Sequence, residues 1–528
     1  MMGKVKNILF IMADQLRWDY LSCYGHPSLQ TPHLDQLAAR GVRFDGAYVQ
    51  SPVCGPSRAS YYTGRTAFSH GATWNQVPLP IGELTIGDYL RPLGMRTAVV
   101  GKTHMKPDFA GMARLGLTPD TEVGMVVAQP GFDPYERDDG LHPDGLLKRR
   151  GGKLRYNDWL REKGYDGDNP WNSWANSAEG DNGEILSGWS LRNSDKAARI
   201  REEHSETAYM TDRAIEFIEE TADTPWMLHL SYIKPHWPYI APAPYHAMYG
   251  SNSFVPPHRD DAERTSSHPV YKAFQEMEVS ETFSRNEVRN AVLTGYMGLI
   301  KQIDDHLGRL FAMLEASGRM EDTMIVFTSD HGDYLGDHWL GEKELFHEES
   351  VRVPLIIYDP SSAANATRGT VETRLVEAID LLPTFLDATG VDADRHWLEG
   401  RSLTPLLHGS APDDWRSFVF SEIDYAFYSA RDALNVDASD ARAYMIRTEA
   451  WKYIHFKGYA PMLFDLKNDP DEFEDLGTSA AHASILAEMK DLLLEKLMDR
   501  KNRVTMTDKQ VLGVRDDEQE IGIVIGVW

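Results

Sequence analysis

Cys54 lies in the stretch SPVCGPSRASYYTGR (residues 51–65) and is one of only two cysteines in a chain of 528 residues. Arg58 follows it four residues on. Three fates are open to such a thiol. It can be a small buried hydrophobe, the commonest one for an isolated cysteine. It can be a thiolate nucleophile whose pKa the guanidinium one helical turn away lowers. It can also be raw material for another group. Asp14 closes the apolar run NILFIMAD, and Asp330 and His331 close TMIVFTSDH far away in sequence. If two strand ends of one sheet bring these groups together, they make an oxygen-rich site for Ca, Mg or Mn, to which Gln15 can add an amide oxygen. The bland alternative is that Asp14 caps a helix and His331 is a satisfied buried imidazole.

The cations form a second set. Lys102 and His104 stand two apart in GKTHMKPD, where an extended segment points both the same way. His236 sits in KPHWP and Lys343 in GEKELFHEES. Most lysines are solvated surface charges; these stand out because they follow strand-like runs. The formal net charge of −26 disfavours nucleic acid and anionic membrane surfaces, which need a basic footprint. An anion site in this chain must therefore build its own positive potential, from a metal, from Lys and Arg, or from helix N-termini.

Elements that could position these residues are legible in the apolar rhythm. The runs KNILFIMA, MRTAVVG, WMLHLSYI and TMIVFTSD alternate with helical patterns, including SETAYMTDRAIEFIEE and a long stretch from about 286 to 316. Continuous apolar strands between amphipathic helices predict an α/β fold with a large, mostly parallel sheet covered on both faces. Ligands bind such sheets beyond the carboxyl ends of the strands, where Asp14, Lys102 and Asp330 fall. Residues 111–194, rich in Gly, Asp and Trp, break the rhythm and read as an insertion; Trp159, Trp171, Trp174 and Trp189 can form a packing cluster, a subunit contact or a pocket wall. From about residue 413 short strands and one helix predict a smaller α+β unit, giving a catalytic unit over 1–412 and a second over 413–528. The apolar end IGIVIGVW predicts a tail covered either by its own chain or by a neighbouring subunit, and the second reading predicts a homodimer or dimer of dimers. Two cysteines make no disulfide framework, and the six-residue run ILFIMA is too short for a leader or a membrane span, so a cytoplasmic location is expected.

CGPSR followed by YTGR resembles the modification signature of the type I sulfatases and their relatives the phosphonate monoester hydrolases, in the alkaline phosphatase superfamily; Tyr62 stands where that family usually has Leu. The resemblance continues in order through NILFIMADQLRWDY, GKTH, KPHWP, SDHGDYLGDH and LFDLKNDPDEFEDL. It implies an alkaline phosphatase-like fold and oxidation of Cys54 to Cα-formylglycine by a formylglycine-generating enzyme. It also implies one divalent metal, Ca or Mn, held by Asp14, Gln15, Asp330, His331 and the group made from Cys54. Arg58 would then orient the formylglycine diol, Lys102 would contact the diol and the sulfuryl oxygens, His104 would break the hemiacetal, and His236 and Lys343 would grip the transferred group, one of them serving the leaving oxygen. Asn75 matches a substrate-contacting position of the phosphonate hydrolases. The implied activity is a sulfuric ester hydrolase of arylsulfatase type, working through a sulfo-enzyme hemiacetal. The alternative is a phosphonate monoester or phosphodiester hydrolase on the same site. GKTH leans to the sulfatases, because the phosphonate hydrolases tend to carry neutral hydroxyl residues at positions 102 and 104. A non-catalytic anion-binding relative is a third reading, with every expected polar group present against it.

Overall fold

The computed structural model describes residues 5–221, 223–513, 522–524 and 526. Its centre is an eight-stranded sheet made of β1 (Asn7–Asp14), β2 (Val42–Phe44), β3 (Arg96–Gly101), β4 (Asp133–Arg137), β5 (Trp226–Pro235), β6 (Thr323–Ser329), β7 (Leu355–Tyr358) and β8 (Thr370–Glu372). The spatial order is β8-β2-β7-β6-β1-β5-β3-β4. β1 runs parallel to β6 and β5, and β5, β3 and β4 continue parallel; β7 is antiparallel to both β6 and β2. The sheet is thus mixed, with its parallel half carrying the site.

All eight residues of β1 are buried, and their alternation sorts them between two layers. Ile8, Phe10 and Met12 join the cluster that contains Ala59, Tyr61 and Tyr62 of helix α1 (Cys54–Thr63). Leu9, Ile11 and Ala13 face α2 (Glu206–Glu220) and the 31-residue α3 (Asn286–Ala316) on the other side. Covering both faces is what makes the strand read as an unbroken apolar run. In α3, Gly295 is fixed by a close approach: a Cβ there would lie 2.2 Å from the Tyr239 carbonyl oxygen.

The stretch 111–194 is divided. Its segment Asp133–Arg137 is β4, the edge strand of the main sheet. Ser177–Glu179 and Ile185–Ser187 pair with Ala197–Ala198 and Ala241–Pro242 in a small four-stranded sheet. Trp171 is fully buried, and Trp159 packs on Tyr156 and Tyr209, whereas Trp189 turns toward Trp237 at 5.5 Å.

Near the C-terminus β9 (Phe418–Asp424), β10 (Arg442–Thr448), β11 (Trp451–Phe456) and β12 (Met462–Asp465) form an antiparallel sheet in chain order. Helix α4 (Ala483–Met498) covers one face through Met489 and Leu493. The other face, with Val419, Met445 and Ile454, belongs to the main core cluster. Among the described residues no helix is long and apolar enough to cross a membrane. Of the apolar tail, Ile521, Ile525 and Trp528 lie outside the described residues, and Val524 is exposed.

Candidate active site

Four adjacent strands end at one place. Asp14 is the last residue of β1, Lys102 follows β3, β5 closes on Lys234 and Pro235, and Asp330 follows β6. Helix α1 aims its N-terminus at these ends with Cys54 as its first residue, which places the positive end of the helix against the carboxylates. Val53, the cap residue, offers no side-chain bond. Asn75 supplies the missing acceptor instead, its Oδ1 taking the Gly55 N–H at 2.7 Å. A Cβ on Gly55 would stand 2.9 Å from that same oxygen, so glycine is required by the close approach.

Arg58, one turn into α1, has no exposed surface. Its Nε donates to Asp330 Oδ2 at 2.8 Å and its Nη2 to Asp14 Oδ2 at 3.0 Å. Nη1 donates to the Lys102 carbonyl and to Ser231 Oγ, each at 2.7 Å. One guanidinium therefore ties α1 to the ends of β1, β3, β5 and β6. Lys102 Nζ meets Asp14 Oδ2 at 2.5 Å with both side chains fully buried. Burial alone would raise the Asp14 pKa; Lys102, His236, Arg58 and His331 outweigh it and hold the carboxyl well below its ordinary range. Neither Lys102 nor Lys343 is a solvated charge, and Asp14 is no helix cap.

Cys54 Sγ lies 3.0 Å from His331 Nε2, while His331 Nδ1 donates to the Gly332 carbonyl at 2.8 Å. That second bond leaves the Nε2 lone pair facing the thiol. One donor atom each from Asp14, Cys54, Asp330 and His331 lies within 4.8 Å of the others. Asp14 Oδ1 is buried and has no hydrogen-bond partner. A dry carboxylate oxygen beside a second carboxylate and an imidazole fits a divalent cation. Gln15, held at φ 64°, gives its amide N–H groups to Asp333 Oδ2 at 2.6 Å and Tyr239 Oη at 2.9 Å. Its Oε1 is thereby turned inward, where it accepts from Lys343 Nζ at 2.7 Å.

The remaining groups close the ring. His104 has φ 53°, so the segment after β3 is not a continued strand, and that turn rather than strand alternation brings the imidazole toward Cys54. Burial and Lys102 lower the His104 pKa below its ordinary value. Burial, with Lys102 and Lys343, pushes His236 well below its own. Lys343 moves the opposite way: burial opposes its charge, yet Cys54, Glu342, Glu344 and Asp14 hold the ammonium well above the ordinary lysine range. All eleven residues singled out in the sequence meet here. Tyr239, Asp333 and Ser231, which orient them, were not singled out, although Asp333 stands inside SDHGD and Ser231 inside WMLHLSYI.

Beside this closed cluster opens a cavity of about 830 Å³, lined by Trp189, Trp237, Phe283, Glu278, Glu342 and Ser429 among others. Cys54 does not line it. The cavity abuts the His236 and Lys343 side of the cluster through their chain neighbours Trp237 and Glu342.

The chain matches the Sulfatase family over residues 6–116 and 157–391, and the family described as N-sulphoglucosamine sulphohydrolase, C-terminal, over 336–499. It is 34% identical over 524 residues to the multifunctional alkaline phosphatase superfamily protein PehA of Trinickia caryophylli, covering 94% of this chain and 96% of that one. The phosphonate monoester hydrolase SpPMH of Silicibacter pomeroyi superposes with a TM-score of 0.82 at 28% identity, over 94% and 96% of the two chains. The phosphonate monoester hydrolase of Agrobacterium radiobacter gives 0.80 at 29%, with the same coverage.

Proposed function

Since the chain belongs to the sulfatase family of the alkaline phosphatase superfamily, and so is a hydrolase of that superfamily, we propose that it cleaves phosphonate monoesters and phosphodiesters, with sulfate monoesters as an overlapping activity. The observation that carries this reading is the buried Asp14–Cys54–Asp330–His331 cluster ringed by Arg58, Lys102, His236 and Lys343. Four cationic or imidazole side chains around one nucleophile suit transfer of a dense anionic group from a chain whose overall charge repels it. The phosphonate hydrolase neighbours support the phosphorus reading; Lys102 and His104 beside Cys54 support the sulfate one.

In this reading Cys54 is converted to formylglycine, whose hydrate supplies one hydroxyl for attack and a second for release. Asp14, Gln15, Asp330 and His331 would hold one divalent cation, Ca or Mn, which lowers the pKa of the attacking oxygen and draws charge from the transferred group. Arg58 keeps both carboxylates and the Lys102 carbonyl in register. Lys102 and Lys343 face the oxygens of the transferred group. His104, kept neutral by burial and Lys102, is the base beside Cys54. His236 gives its Nδ1–H to the Trp237 carbonyl at 2.7 Å, which leaves Nε2 for the substrate. Asn75 holds the helix end that presents Cys54 and faces the substrate beside it. We assign the reaction to residues 1–412 and assembly to 413–528, with Ser429 also reaching the cavity. Neither Cys23 nor Cys54 is tied up in a disulfide, so Cys54 is open to conversion, and a cytoplasmic location is part of the same proposal.

Two measurements test this. The mass of the Cys54 peptide distinguishes aldehyde from thiol; an unmodified cysteine in fully active protein would remove formylglycine. Turnover of phenyl phosphonate esters is expected to exceed that of aryl sulfates. The reverse order would return the assignment to a sulfatase, and no hydrolysis of either would overturn the reading.

A further inference from the structure

We propose that Lys234 is a positioning residue that fixes the His236–Trp237 loop on the leaving-group side of the site, using residues of the 171–206 region as its anchor. The proposal rests on the hydrolase reading above. Lys234 is 4% exposed and is the last residue but one of β5, two residues before His236. Its Nζ donates forward to the Pro238 carbonyl at 2.9 Å and sideways to Asn176 Oδ1 at 3.0 Å. The first bond closes residues 234–238 into a ring with His236 at its middle. The second ties that ring to Asn176, the residue just before the Ser177–Glu179 strand of the small sheet.

The anchor is itself over-determined. Asn176 Nδ2 donates to the Trp171 carbonyl at 3.2 Å and to Glu206 Oε2 at 3.4 Å, so its Oδ1 has only the Lys234 direction left. Glu206 Oε1 accepts the buried Trp171 indole N–H at 2.5 Å. The Lys234–Glu206 pair itself is longer, 3.6 Å. The two best contacts of this ammonium are therefore neutral oxygens, a carbonyl and an amide. A lysine needed only to neutralise Glu206 would sit closer to it; this one is placed by its directed donors. Burial pulls its pKa below the ordinary value, against Glu206.

Within the ring the His236 and Trp237 side chains touch at a tilt, ring centres 4.1 Å apart, and Trp237 meets Trp189 at 5.5 Å on the cavity wall. Releasing the Pro238 carbonyl would free His236 and the wall together. Misplacement of a catalytic group by about 1 Å can cost a hundredfold in rate. The loss should fall where His236 matters, on departure of the leaving oxygen. It should be small for esters of acidic phenols, whose anions leave unaided, and large for esters of alkyl alcohols.

The test uses the full-length matured enzyme as wild type, Lys234→Met and, should that variant fold poorly, Asn176→Ala. Turnover is measured over a series of phosphonate and sulfate esters of falling leaving-group acidity, and amide hydrogen exchange over the whole chain. The proposal expects a kcat deficit that grows to about a hundredfold at the poor leaving groups, with faster exchange confined to peptides spanning 232–240. An equal deficit across all leaving groups, or exchange that rises everywhere, would reduce Lys234 to a stability element and overturn it. Wild-type protein inert toward both ester types would instead overturn the reaction assigned to the site, a result seen before any variant is compared.

Discussion

At Cys54 the chemistry comes down to which of two thiols is placed to react. Cys23 is the wrong one: burial and Asp35 push its pKa up to about 12. Cys54 is 1% exposed at the first position of α1, with His331 Nε2 at 3.0 Å. An alanine here deletes one sulfur and leaves every bond of Arg58, Lys102 and Asn75 in place. Cys54→Ala is therefore expected to keep a cooperative melt within about 1–2 kcal/mol of wild type and to lose turnover entirely. Cys54→Ser keeps a hydroxyl nucleophile but no second hydroxyl to release the ester it forms. It should give at most one equivalent of alcohol in a burst and then stop. Sustained multiple turnovers by the serine variant, followed by continuous assay of the alcohol, would exclude a mechanism that needs both oxygens.

Lys343 reaches the site on a long irregular segment between β6 and β7, and a histidine pinned between carboxylates holds that segment. His338, at φ 51°, has Nδ1 2.6 Å from Glu263 Oε1 and Nε2 3.5 Å from Glu349 Oε2, with His347 stacked on it at 3.7 Å. Burial opposes its charge, but Glu349 and Glu263 raise its pKa to about 10; His347, buried against that charge, is held well below the ordinary value. A folded pKa above the unfolded one means stability fully present below about 6.5, lost as pH rises through 10. His338→Gln should then cost about 3 kcal/mol at pH 6, and the deficit against wild type should close toward pH 10 in denaturant melts. A deficit that stays constant with pH would mean that packing against His347, not charge, is what the segment uses. Legibility follows the same physics of local against distant partners. β1, β3, β5, β6 and the helices were readable because each carries its period within itself. β4, the sequence DPYER, is a partly exposed edge strand with charged residues and has no such run. Nothing in LIIY of β7 sets its direction. The eleven chemistry-bearing residues were visible through short motifs, whereas the Lys234–Asn176 bond joins neutral and charged groups 58 positions apart and leaves no local trace.

Across the whole molecule the charge is −26, while the buried site gathers Arg58, Lys102 and Lys343. The acidic surface keeps copies apart at long range, within the reach of about 8 Å that physiological salt allows, so assembly needs apolar contact. The C-terminal end supplies candidates: Leu494, Met498 and Leu512 are 55%, 67% and 69% exposed, and the chain then continues into IGIVIGVW. Burying such side chains against a neighbouring copy stabilises the contact by several kcal/mol at about 25 cal/mol per Å², before ordering of the tail is subtracted. A segment exchanged reciprocally between copies closes most simply with twofold symmetry. The full-length chain is therefore expected to run as a homodimer or dimer of dimers in light scattering, and a chain lacking residues 519–528 as a smaller species. The truncated chain should retain turnover per site, because Asp14, Cys54, Asp330 and His331 all come from the main sheet and α1. An unchanged mass in solution after truncation would place the tail on its own protomer and leave the oligomer, if there is one, to another surface.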